Sequence, residues 1–258
     1  MTLEQSWQHY RSLVNGKLAI FSVNLDILTK FPSETSHKII QLQFAYEVMD
    51  DSELPAHQVY QTLMTHILKV STQLSALANT LYAGYVFSAG KAQLYFYCGD
   101  LEPCLDVLHQ FDYIEHIESQ DDPHWDIYFD FLLPSPLEMK INATEEVLAL
   151  LSQNGRDLSD TYVIEHTFYF DDEENMFRFM EQVNIQNIDF VSLQYSNVPI
   201  PLEEEEEEKY LVKLAQDMRL DNADIFQVVE ECEELANQFG GEYSGWECDA
   251  INDKEQLN

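Results

Sequence analysis

The stretch Thr161–Phe170, TYVIEHTFYF, decides the fold. Tyr162, Ile164, His166, Phe168 and Phe170 fall on one side, and Val163, Glu165, Thr167 and Tyr169 on the other. That period of two is the pattern of a strand covered on one face. Asp171 and Asp172 follow and favour a helix start, because carboxylates oppose the N-terminal dipole. Met176, Phe179 and Met180 then supply an apolar face through about Val183. Ile188 to Tyr195 reads as a second strand. Tyr210 to Met218 is assigned as a third, although its apolar spacing also fits a helix. A helix capped by Asp221 or Asn222 carries the stripe Ile225, Val228, Val229, Cys232, Leu235 and Ala236 and ends at Gly240 and Gly241. A last strand covers Glu242 to Ile251. The order is βαββαβ, which defines a ferredoxin-like domain.

Working outward, Asn142 and Glu145 suit a capping box, Val147, Leu148 and Leu151 form a helical stripe, and Gly155 fits a left-handed helix terminus. The boundary is therefore placed near residue 150: residues 1–150 form one α+β domain, 151–251 the ferredoxin-like one, and 252–258 a tail. Before the boundary, Leu18 to Leu28 and His37 to Val48 read as strands separated by a turn at Pro32 and Ser33. Val59, Leu63, Ile67, Val70, Leu74 and Leu77 predict a long helix from Pro55 to about Leu77. YAGYVFSAGKAQLYFYC reads as two strands turning at Ala89–Gly90. Leu101 to Phe111 reads as a helix and Tyr113 to Ile117 as a strand. In DDPHWDIYFDFLLP, Asp122 and Pro123 predict a helix start, and Trp125, Tyr128, Phe129, Leu132 and Leu133 a core-packing face. The fold class is α+β: an antiparallel sheet with packed helices, then a ferredoxin-like domain.

Charge narrows the function. The 258 residues carry 47 acidic and 13 basic side chains, a net charge of −34, while hydrophobic residues reach 45% and aromatics 12%. That composition folds, unlike an acidic disordered chain, which is poor in aromatics. Direct nucleic-acid binding needs a basic footprint, so neither nucleic acid nor an anionic membrane is the expected partner. A basic protein surface is, although negative charge also serves solubility alone. Both parts are acidic, and the shorter second part holds more of the excess.

Cys98, Cys104, Cys232 and Cys248 show no zinc-ligand spacing, and His9, His57, His109, His116 and His124 form no ligating motif. No nucleophile elbow or phosphate loop occurs. Asp50, Asp51 and Glu53 are explained by a turn before Pro55. The expectation is a non-enzyme without metal or cofactor. The sequence shows no apolar signal core and no apolar run near the roughly 18 residues of a membrane span, so a cytoplasmic location is expected.

The candidate partner-binding residues are Tyr243, Gly245 and Trp246, then Asp171, Asp172, Glu173 and Glu174, then Glu203, Glu204, Glu205, Glu206, Glu207 and Glu208. Aromatics on a constrained turn make interface anchors, but packing of Trp246 under the last strand, with Gly245 at a bulge, is the preferred reading. The four acids at 171–174 oppose a helix dipole and can also meet arginine. The run 203–208 reads as a solvated loop or edge. His166 is assigned to the core.

Two separated blocks, QNGRDLSDTYVIEHTFYF and LANQFGGEYSGWECDAI, resemble the bacterial regulator of ribonuclease activity B family, a ribonuclease E inhibitor. The residues that carry this are Gly155, Tyr162, Ile164, Glu165, His166, Phe168, Gly241, Tyr243, Gly245 and Trp246; Ser244 departs from the family's usual Asp. Trp7, Tyr10, GKLAIFSVN and DDPHWDIYFDFLLP resemble domain of unknown function 695, which implies no established activity. The second resemblance implies a protein that binds ribonuclease E and alters its cleavage without cutting RNA. Three function classes follow: a regulator docking on a basic segment of such an enzyme, which leads; a nucleic-acid mimic for another basic protein; and a small-molecule-binding module or enzyme in the first domain.

Overall fold

A computed structural model describes residues 6–48, 53–185, 190–202 and 208–248. The chain divides into two compact units, Met1–Glu138 and Met139–Asn258. The division thus falls at Glu138 rather than near residue 150.

The first unit is built on six strands: β1 (Trp7–Val14), β2 (Lys17–Asn24), β3 (Lys38–Ala45), β4 (Leu81–Ser88), β5 (Lys91–Cys98) and β6 (His116–Asp121). Their spatial order is β1-β2-β4-β5-β3-β6, with antiparallel neighbours throughout. Helices α1 (His57–Ser75) and α2 (Leu101–Leu108) cover one face, where Leu63, Ile67, Val70 and Leu74 meet Ile40, Leu42, Phe87, Leu94 and Phe96. Trp125, Tyr128 and Leu132 cover the other face, against Tyr10, Phe21, Val23, Ile39, Val86 and Tyr97. Central strands β4 and β5 are covered on both sides, which is why they read as continuous apolar runs instead of alternating.

Three expectations for this unit are corrected and one strand is added. The strand expected over 18–28 stops at Asn24, whose Oδ1 accepts the Asp26 N–H and starts a 3-10 turn over Leu25–Lys30. The strand expected at 113–117 begins at His116, because Tyr113 leaves the sheet and stacks on His66 at 4.0 Å. The segment around Trp125 is not an α-helix: Trp125 has φ +57° and residues 127–132 form a π-helical turn. Buried Asp122 holds it, accepting from Tyr97 Oη at 2.6 Å and from the Asp126 and Ile127 N–H groups at 2.8 and 3.2 Å. Strand β1, absent from the sequence reading, pairs with β2 across Asn15–Gly16, both at positive φ.

Helix α3 (Pro136–Gln153) runs across the division. Its capping box is Ser135 and Glu138, not Asn142 and Glu145: Ser135 Oγ accepts the Glu138 N–H while Glu138 Oε2 accepts the Ser135 N–H. Gly155, at φ +75°, closes it, with the Arg156 N–H returning to the Leu151 carbonyl.

The second unit continues with β7 (Thr161–Phe170), α4 (Glu173–Ile185), β8 (Ser192–Tyr195), β9 (Ile200–Pro201), β10 (Glu208–Arg219), α5 (Asp224–Gln238) and β11 (Gly241–Cys248). The sheet order is β11-β7-β10-β8, with β9 on the start of β10. This is the ferredoxin-like arrangement. The region 210–218 is a strand as assigned, and β7 keeps its expected bounds and alternation. Phe179 of α4 meets Phe168 and Phe170 at 4.8 and 5.0 Å, and Ile225 of α5 packs with Ile164, Cys248 and Leu151. Asn222 Oδ1 accepts the Asp224 N–H at the start of α5.

Candidate protein-docking site

Strand register brings separated acids together. Phe170 pairs with both Tyr210 of β10 and Gly241 of β11, so the end of β7 lies beside the starts of its two neighbours. Asp171–Glu174, Glu208 and Glu242 therefore share one end of the sheet, all exposed. Lys209 sits among them, 3.2 Å from Glu242 and 3.9 Å from Asp171. Asp172 also caps α4, its Oδ1 accepting the Asn175 N–H at 2.8 Å. Sequence reading missed Glu242, because a single acid after two glycines gives no local signal; only the register places it here. Glu203, Glu204, Glu205, Glu206 and Glu207 lie outside the described residues.

The sheet face away from the helices carries Lys213 between Glu165 at 2.5 Å and Glu247 at 3.6 Å. Glu165 and Glu247 lie directly opposite on adjacent strands, a repulsion that Lys213 relieves. The hydrogen bond to Glu165 leads in raising the Lys213 pKa, with smaller contributions from both carboxylates. Lys140 and Glu233 form a second, largely shielded pair at 3.0 Å.

The other three candidates divide. Tyr243 is only 1% exposed and belongs to the core, its hydroxyl 2.8 Å from His166 Nδ1. His166 Nε2 lies 2.9 Å from Gln216 Nε2. A neutral imidazole has one donor and one acceptor nitrogen. With the Gln216 amide donating to Nε2, Nδ1–H donates to Tyr243. Burial lowers the His166 pKa to about 4, so the neutral form is the one present near neutral pH. Gly245, at φ +115°, follows the exposed bulge residue Ser244, where the pairing of β11 with β7 shifts. Trp246 is half-buried, and its indole N–H donates to Thr144 Oγ1 of α3 at 2.9 Å. Tyr243 and Trp246 thus hold β11 in the unit, whereas Asp171–Glu174, Glu208 and Glu242 are exposed.

Among the described residues, no group of three or more His, Cys, Asp or Glu could hold a metal ion. Among the same residues, no helix is long and apolar enough to cross a membrane.

Fold and site together define a strongly acidic, two-unit α+β protein whose second unit is ferredoxin-like. The chain belongs to the Family of unknown function (DUF695), whose model matches residues 5–133, half its length; residues 141–248 match Regulator of ribonuclease activity B. At the family level, the latter match places the second unit with regulators of ribonuclease activity. A search of curated proteins returns no match.

Proposed function

We propose that this protein regulates an RNA-processing ribonuclease of the ribonuclease E type in the cytoplasm, by docking the acidic end of its second sheet on a basic segment of the enzyme. The observation that carries this reading is the convergence of Asp171–Glu174, Glu208 and Glu242 from three strands' ends onto one exposed site. Such a segment binds RNA through Lys and Arg, and a dense carboxylate surface competes for the same charges. Charge complementarity of this kind raises encounter rate and selectivity. No bond is made or broken, so the role is non-catalytic.

The test is binding of the full chain to a purified Arg-rich ribonuclease segment across a salt series. Binding is expected to be tightest at low salt, where exposed charges are least screened. Asp171→Asn, Glu173→Gln, Glu174→Gln and Glu242→Gln together spare the Asp172 cap. They should weaken binding about tenfold and flatten the salt slope, given roughly 0.2–1 kcal/mol per exposed pair. Unchanged affinity in that variant overturns the reading.

A further inference from the structure

Two thiols of the first unit, Cys98 and Cys104, are brought together by the fold. Cys98 ends β5 and belongs to the core under α1 and α2, whereas its neighbour Tyr97 stacks on Trp125 across the sheet. Tyr97 pairs with Leu81, so the residue before Leu81, Thr80, comes beside Cys98. Cys104 sits one turn into α2, behind the Asp100 cap, with its sulfur 3.8 Å from Thr80 Oγ1. The two sulfurs thus meet next to Thr80 and share a hydrogen bond. Cys98 is its donor, because the Cys104 S–H turns to the Asp100 carbonyl at 3.5 Å. That bond leads in lowering the Cys104 pKa, against burial and with help from the Thr80 hydroxyl. It also leads in raising the Cys98 pKa.

Access selects the oxidant. Both cysteines are 1% exposed. A hollow of about 480 Å³, whose lining includes Ser33, Thr35, Ser36, Asn79 and Thr80, comes within one side chain of Cys104. A small uncharged peroxide suits that route, and a bulky anionic disulfide such as oxidised glutathione does not. We propose that the first unit carries a reversible oxidation site for hydrogen peroxide, with Cys104 the attacking sulfur and Cys98 the resolving one. The Cys104 thiolate attacks one peroxide oxygen and becomes a sulfenic acid. The O–O bond breaks, and the departing hydroxide takes up the proton released when Cys104 ionised. The Cys98 sulfur then displaces the sulfenic hydroxyl, which leaves as water with the Cys98 proton. Two thiols and one peroxide thus give one disulfide and two waters, the sulfurs closing to about 2.05 Å. The site is independent of the acidic docking surface in the second unit.

The test treats the reduced full chain with hydrogen peroxide near neutral pH, removes the oxidant, unfolds the chain in iodoacetamide and weighs it. The chain has four cysteines, and Cys232 and Cys248, buried in the second unit, are the internal controls. The expected product is alkylated only at those two and yields a Cys98–Cys104 cross-linked peptide; dithiothreitol restores alkylation at all four. Oxidised glutathione should leave all four thiols. In Cys98→Ala, Cys104 should stop at the sulfenic acid and be trapped by dimedone, whereas in Cys104→Ala, Cys98 should stay a thiol. Thr80→Val should slow the disulfide several-fold without changing the product. If an alanine variant unfolds, the wild-type mass and cross-link decide the matter. Four alkylated cysteines after peroxide, oxidation of Cys232 or Cys248 as fast as the pair, or dimedone on Cys98 instead of Cys104 overturns the proposal.

Discussion

His166 is placed so that only its uncharged ring is satisfied: it donates to Tyr243 and accepts from Gln216 in the core of the second unit. Its folded pKa of about 4 lies below the ordinary value of 6.5. As pH falls below about 6.5, the unfolded chain binds a proton that the folded chain refuses, so stability falls. The loss is complete near the folded pKa, below which both states are protonated. A difference of roughly 2.5 units corresponds to about 3 kcal/mol. Urea unfolding at about pH 7 and about pH 4 should show the wild type losing about 3 kcal/mol more than His166→Asn. Equal losses would mean that the ring is not held neutral by burial. Alternation along β7 makes His166 legible in the sequence as a core residue. Its partner is not, because Tyr243 lies 77 positions away and meets it only through strand pairing.

Elements with strong local periodicity were legible, and those set by a single buried side chain were not. Strand β7, helix α1 and the β4–β5 hairpin follow from apolar spacing and turn residues. Asn15–Gly16 is a strong hairpin signal that could have revealed β1, but Trp7 to Val14 alternates weakly because its α1-facing side, with His9, Arg11 and Leu13, is exposed. The region 125–133 shows a helical stripe, yet Trp125 takes φ +57° and the turn over 127–132 is π-helical, a backbone departure that apolar spacing does not encode. In β11, the two glycines do different work. A Cβ at Gly245 would meet nothing within 4 Å, so Gly245→Ala should cost only backbone strain at φ +115°, about 1–2 kcal/mol. A Cβ at Gly241 would come within 2.2 Å of the buried Phe170 ring. Gly241→Ala must displace core side chains and should cost more, about 2–3 kcal/mol. Denaturant midpoints of the two variants check the order; a milder Gly241→Ala would refute this account of β11.

For the molecule as a whole, charge opposes folding more than it supports it. With 47 acidic and 13 basic side chains, complete one-to-one pairing would still leave 34 carboxylates unmatched. Among the lysines that pair, Lys209 and Lys213 each bridge two acids at the second sheet. The surplus is concentrated in the compact state and spread out in the unfolded one, so repulsion favours unfolding. Salt screens such repulsion over about 8–10 Å at roughly 0.1–0.15 M. It weakens exposed ion pairs as well, but each of those contributes only about 0–1 kcal/mol. The two effects have opposite signs, and the count of unmatched carboxylates decides between them. Raising NaCl from about 10 mM to about 200 mM should therefore raise the thermal midpoint of the full chain. The same salt should loosen its hold on a basic partner, since attraction across the docking surface is screened as repulsion within it is. A midpoint that falls with added salt would mean that the local lysine bridges outweigh the net charge, and that the acidic end of the second sheet is engaged internally instead of being available to a partner.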